Sequence, residues 1–317
     1  NPELRASKLT HNCHMNLSIC PPLYAAALGA AGLSALFVGG LYVGVSKRVD
    51  RDEPRVVVER FGRVGLVCCA APLLTWAAAS APGGRAASLC VAAPLWRWLG
   101  LWSPVPFRAA AVPLGLTMLL FLGPLAALGL DAAAQGPAAL RERLAQRVRG
   151  RRQRLLLCRN LLVGPFAEEW VFRACTCPLL FGAGLGDAAN VWGSAVCFGA
   201  AHLHHVFDGG GDVKAVAVMF VYTSLFGAYS SYLFLRTGTV AGPLAAHIFC
   251  NAMGLPDFAG VPRHPRRRLV AGCYVAGLAG FIGAVSLDAA SRPPLFGSLF
   301  WAEAGATGVA HGAFGSS

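Results

Sequence analysis

The chain has 317 residues, 56% of them hydrophobic and only 13% charged, with a mean hydropathy of +0.55 and a formal net charge of +12. That is more apolar side chain than a soluble domain of this length needs for its core, so much of the surface is read as facing lipid. The basic excess does not point to nucleic acid: it bunches between apolar runs at 47–63, 141–154 and 263–268 without interleaved aromatics, as in loops held at a cytoplasmic face.

Residues 1–20, with Met15 close behind Asn1, are expected to form an N-terminal tail without fold. The first apolar run, Leu23 to Val45, is too long for a signal-peptide core and ends in basic residues, so no typical cleavable signal is expected. Runs of spanning length follow, giving an all-α, polytopic membrane protein. Its eight expected transmembrane helices lie at about 21–44, 64–81, 109–130, 155–177, 190–205, 214–235, 239–256 and 269–287, around an intramembrane polar cavity. Residues 86–102 carry three Trp but also Pro94 and Arg97, a composition suited to the interface. With that segment at the interface, the three basic loops share one side of the membrane. Leu140, Leu144 and Val148 recur every four residues among seven arginines in 139–154, which predicts a basic amphipathic helix lying on an anionic leaflet. This linker separates the helices of 21–138 from a core at 155–257; 258–317 is read as a basic loop, a last span and a tail. Most of the eleven cysteines (Cys68, Cys69, Cys90, Cys158, Cys197, Cys250 and Cys273 among them) fall inside apolar runs and are expected to pack as small hydrophobes.

Three polar clusters interrupt the apolar stretches, and ionisable groups at membrane depth are by default functional. The first is Gly164-Pro165-Phe166-Ala167-Glu168-Glu169-Trp170-Val171-Phe172-Arg173. Pro165 suits the first turn of a helix. Glu169 and Arg173 are i,i+4 and positioned to pair, while Glu168 points about 100° away around the helix and is left for other work, such as general base. The bland alternative is a packing ion pair with the second acid snorkelling to water. His202 ends the second cluster, i,i+4 from Phe198, whereas His204 and His205 read as loop residues. In the third, His247 and Asn251 are again i,i+4 and share a helix face. An imidazole and a carboxamide side by side suit a developing oxyanion, though an interhelical hydrogen-bonded pair is the plainer use.

Glu168-Glu169-x-x-x-Arg173, Phe198-x-x-x-His202 and His247-x-x-x-Asn251, in that order, resemble the three motifs of the CAAX protease and bacteriocin-processing membrane family. Asn160–Pro165, Phe226–Tyr229, Leu235–Gly238 and Cys250–Gly254 extend the likeness to its eukaryotic prenyl-endopeptidase branch, over roughly 155–257. The resemblance implies removal of the last three residues from farnesylated or geranylgeranylated CAAX proteins such as Ras-like small GTPases. It also implies a multi-pass protein of the endoplasmic reticulum membrane with its site open to the cytoplasm. Glu168 and His202 would activate a water, His247 and Asn251 would stabilise the oxyanion, and Glu169 and Arg173 would support them. No cofactor and no metal are expected, but a Glu168, His202 and His247 zinc site and a Cys250 nucleophile remain open alternatives. So does a transporter or lipid-binding scaffold with a buried proton relay, although no internal inverted repeat is evident.

Overall fold

The computed structural model describes residues 16–42, 50–84, 92–203, 213–291, 293 and 295–301. His204, His205 and Cys90 lie outside them, as do most of the residues expected to form the tails.

Among the described residues the protein is helical apart from one short antiparallel pairing, β1 (Asn16–Ser18) with β2 (Ala92–Pro94), in which Leu17 sits opposite Ala93. In chain order the helices begin with α1 (Leu23–Tyr42), α2 (Pro54–Ala79), the single turn α3 (Leu95–Trp98), α4 (Pro106–Leu120) and α5 (Leu122–Arg147). A continuous helical run follows: α6 (Arg151–Cys158), a π turn over Arg159–Val163, α7 (Gly164–Glu169), a second π turn over Trp170–Cys175, and α8 (Thr176–Gly182). Beyond it come α9 (Asp187–His202), α10 (Val213–Thr237), α11 (Ala241–Met253) and α12 (Arg267–Ser291).

Helices α1, α2, α10 and α12 are long and apolar enough to cross a membrane, and α4 with the first part of α5, bent by 77°, makes a fifth crossing if counted as one span. Large apolar side chains such as Leu28, Leu66, Leu73, Phe107, Val275 and Leu287 face outward, while Glu169, Arg173, Arg236 and His247 are buried. That inversion is the arrangement lipid demands.

Among the described residues, these are the ones of the eight expected spans that are long and apolar enough by themselves; the three segments carrying the polar clusters are helical but shorter or divided by π turns. Two π turns divide 155–177, α9 has 16 residues, and α11 stops at Met253, where Gly254 takes φ 72. The 64–81 span starts earlier than expected, since Pro54 opens α2 and draws Arg55, Arg60 and Arg63 from the basic loop into the helix. The basic stretch 139–154 holds two helices rather than one: α5 ends at Arg147, and Gly150 at φ 90 turns the chain into α6. Of the cysteines expected to be buried, Cys69 is exposed and Cys68, Cys158, Cys197, Cys250 and Cys273 are half-buried; the fully buried ones are Cys175 and Cys177, which were not among them.

The core that positions the site is an aromatic ladder. Phe37 meets Phe172 edge-on at 5.3 Å, Phe172 meets Phe198 at 5.1 Å, and Phe198 meets the His202 ring at 4.5 Å. Helices α9 and α10 come close because Gly199 and Gly227 lie at their contact: a Cβ on Gly199 would collide with Ser224 Oγ, and one on Gly227 would lie 3.1 Å from Ala195 Cα. Farther out, Arg236 grips Asp288 through two nitrogens at 2.6 and 2.9 Å and donates to the Pro293 carbonyl at 2.7 Å. This bidentate pair ties the end of α10 to the end of α12.

Candidate active site

Glu168 and Glu169 end α7, between the two π turns. A π turn leaves carbonyls without their usual helical donors, and here side chains supply them: Thr176 Oγ1 donates to Val171 O at 2.9 Å and Ser194 Oγ to Phe172 O at 2.7 Å. Trp170 Nε1 donates to Cys68 O at 2.9 Å, fixing the helix against α2. The run is therefore held rigidly where it presents the two acids, and the sequence periodicity carried no sign of the π turns.

Adjacent in sequence, the two carboxylates occupy opposite environments. Glu169 is 0% exposed. Its Oε2 lies 3.3 Å from Arg173 Nε and accepts from Ser230 Oγ at 2.6 Å, while its Oε1 lies 2.7 Å from His247 Nδ1. Arg173, equally buried, stacks over the Phe198 ring at 4.4 Å and donates to Gly227 O at 3.4 Å. The i,i+4 pairing of Glu169 with Arg173 is thus present, and the spacing rightly left Glu168 apart from it. What the sequence missed is that Glu169 also grips His247 and Ser230, from α11 and α10. A carboxylate only accepts, so the His247 proton in this contact is on Nδ1, and Nε2 turns toward Glu168 Oε2 at 3.6 Å.

Glu168 and His202 face a cavity of about 600 Å³ that Asn251 and Cys250 also line. Phe37, Leu41, Phe61, Val64 and Tyr222 form an apolar part of its wall, and Arg51, Arg60, Arg159 and Asn160 a polar part. His202 Nδ1 donates to its own helix at Phe198 O, 2.8 Å away, which makes Nε2 the acceptor nitrogen of the neutral ring. His247 stands one layer behind the wall, its ring 4.7 Å from that of Phe226. Asn251 Nδ2 donates to Asn160 O at 2.9 Å, tying α11 to the first π turn, so its amide offers the cavity one further N–H rather than two. The six residues expected at the site therefore fall into two layers: Glu168, His202 and Asn251 on the cavity, with His247, Glu169 and Arg173 behind it.

Among the described residues, no three His, Cys, Asp or Glu side chains converge as a metal site would require. At the cavity mouth Arg159 holds Asp52 Oδ1 at 2.7 Å through Nη1 and Asn160 Oδ1 at 3.0 Å through Nε. The Arg159 hydrogen bond, outweighing partial burial, holds the Asp52 carboxyl below its usual range.

The family described as type II CAAX prenyl endopeptidase, Rce1-like, matches residues 151–253, the stretch from α6 to the end of α11 that builds the site. Human CAAX prenyl protease 2 is 36% identical over 84% of this chain and 81% of its own length, and the rat protein 34% identical over 84% and 80%. The CAAX prenyl protease 2 of Arabidopsis thaliana is 41% identical over 39% of this chain and 41% of its own. No solved structure matches the chain. With identity at that level running through most of the chain, and the matched segment coinciding with the helices that gather both acids and both histidines, the chain belongs to the type II CAAX prenyl endopeptidase family.

Proposed function

We propose that the protein is an intramembrane endopeptidase that removes the C-terminal aaX tripeptide from farnesylated or geranylgeranylated CAAX proteins, Ras-like small GTPases among them. The observation that carries the reading is the division of labour between adjacent acids: Glu169 is consumed by Arg173, Ser230 and His247, while Glu168 faces the cavity beside His202. Family membership supports the substrate class, and the cavity's apolar wall suits an isoprenoid chain. The polar wall suits a peptide.

In this mechanism Glu168 and the His202 Nε2 bind a water and take its proton, and the resulting hydroxide attacks the carbonyl of the prenylated cysteine. The new C–O bond forms as the carbonyl π pair moves to oxygen. Asn251 donates to that oxyanion with the N–H not used on Asn160. His247 completes the oxyanion pair, its ring held by Glu169 at Nδ1 and its Nε2 directed toward Glu168 Oε2 at the cavity wall. The proton taken from water passes to the departing amine as the C–N bond breaks, releasing the tripeptide. Glu169 is a positioning residue in this scheme: it fixes the His247 ring, and Arg173 balances its charge.

The site opens to the cytoplasmic side of the endoplasmic reticulum membrane in this proposal, because Arg51 and Arg60 of the basic segment 47–63, which the positive-inside rule assigns to that side, line the cavity. The test is incubation of the purified full chain in detergent with a farnesylated Cys-a-a-X peptide, followed by mass spectrometry. Release of the intact tripeptide is expected. A peptide left uncut by well-folded protein, or trimmed one residue at a time, refutes the proposal.

A further inference from the structure

We infer that Arg159 is the anchor for the free α-carboxylate at the substrate's C-terminus, an interaction that favours substrates whose chain end lies within reach of the cut. The inference rests on the endopeptidase proposal above and adds a specificity-determining residue to it. Arg159 lines the cavity, and its guanidinium is already fixed: Nη1 on Asp52 at 2.7 Å and Nε on Asn160 Oδ1 at 3.0 Å. Nη2 makes no hydrogen bond to any described residue, so one edge of a preorganised fork is presented to the cavity. Arg51 and Arg60 line the same wall, the latter from α2, and raise the positive potential around that edge. Against these cations, Glu168 is the carboxylate on the cavity lining.

The spacing agrees. Arg159 and Glu168 sit on one continuous helical run, and at about 1.5 Å per residue they are separated by about 13 Å along its axis, slightly less across a π turn. Three extended residues span about 10 Å, and the guanidinium and carboxylate reaches close the remainder. A peptide whose scissile carbonyl lies at Glu168 thus places its terminal carboxylate at Arg159.

The test compares a farnesylated Cys-a-a-X peptide with its C-terminal carboxamide, reading both affinity for the Glu168→Gln chain, which does not consume the peptide, and tripeptide release by the unaltered chain. The acid is expected to bind about 10- to 100-fold more tightly than the amide, the factor for one hydrogen bond between charged groups. Arg159→Gln should bring the acid down to the level of the amide, and Arg159→Lys, which keeps the charge but loses the fork, should retain part of the preference. Arg60→Gln, on the facing helix, should narrow the preference without removing it. Undiminished discrimination in both Arg159 variants overturns the inference, as does equal binding of acid and amide by the parent chain. So does unchanged discrimination coupled to weaker retention on vesicles containing anionic lipid, which would make Arg159 a headgroup contact. If the unaltered chain releases no tripeptide, the endopeptidase proposal fails separately, and the binding comparison still decides the role of Arg159.

Discussion

Replacing Glu169 by Gln should destabilise the protein far more than the same change at Glu168. The carboxylate of Glu169 is the meeting point of Arg173 at 3.3 Å, His247 at 2.7 Å and Ser230 at 2.6 Å, and neither it nor Arg173 has any exposure. The carboxamide can still accept from one of these donors, but its NH2 then faces another donor, and the guanidinium keeps a buried charge with no counter-ion. Breaking a buried ion pair from one side costs about 3–5 kcal/mol, most of it the penalty on the partner left behind. Glu168, on the cavity wall with 21% of its side chain exposed, makes no comparable set of bonds, and its conversion to Gln should stay within about 1 kcal/mol. Thermal unfolding in detergent, followed by intrinsic fluorescence, should separate the two variants by a melting difference of about 5 °C. Removing the charge along with the acid, as in Glu169→Gln with Arg173→Met, should recover part of the loss, since what costs most is the unpaired guanidinium rather than the missing bond. Equal melting temperatures for the two single variants, or a lower one for Glu168→Gln, would refute the reasoning and reverse the assignment of the acids.

Glu168→Gln and His202→Ala should each abolish tripeptide release while leaving the melting temperature close to that of the parent chain; substantial turnover by well-folded Glu168→Gln excludes it as the base. Asn251→Ala should lower kcat by about 10²–10³ with a smaller change in KM, the pattern of a donor felt mainly in the transition state, and single-turnover kinetics check it. Elemental analysis of that active preparation should show no stoichiometric metal; one tightly bound Zn²⁺ per chain with an unimpaired Asn251→Ala would replace the mechanism with a metal-assisted one. Because Arg159 depresses the Asp52 carboxyl, their contact adds stability at neutral pH and loses it as the pH falls through that lowered value. The melting difference between the parent chain and Asp52→Asn should accordingly be constant from pH 7 to about pH 5 and close only in stronger acid; a difference that vanishes near pH 6 contradicts the assignment. Asp288→Asn should lower the melting temperature without changing the acid-versus-amide preference, since Arg236 and Asp288 brace α10 against α12 at a distance from the cavity lining.

Hydrophobicity and helical spacing carried much of this structure. The membrane setting follows from composition, because lipid-facing helices need apolar side chains on their outer surface whatever their partners are. The i,i+4 rule paired Glu169 with Arg173 and left Glu168 apart, since both facts are local to one helix. The same rule placed His247 and Asn251 on one face, and the order of the three clusters was enough to suggest the family. Span number was less legible: in α9 and α11 the apolar run is continued by residues outside the helix, and helix ends are set by turns such as the one at Gly254 that hydropathy does not register.

Other features belong to the tertiary structure by their nature. The bond from Glu169 to His247 joins residues on α7 and α11, and that from Asn251 to Asn160 joins α11 to the first π turn; no spacing rule reaches across such separations. The π turns arise because side chains such as Ser194, on another helix, satisfy the carbonyls they expose. Which of two neighbouring glutamates pairs with Arg173 was suggested by the sequence, but how many further partners hold it was decided by the packing of α7, α10 and α11. The sequence by itself determined which groups enter the membrane and which of them share a helix face, since both depend on local chemistry. Only the folded chain decided which of those groups meet across helices and which face the cavity, since that depends on how close the helix backbones can come.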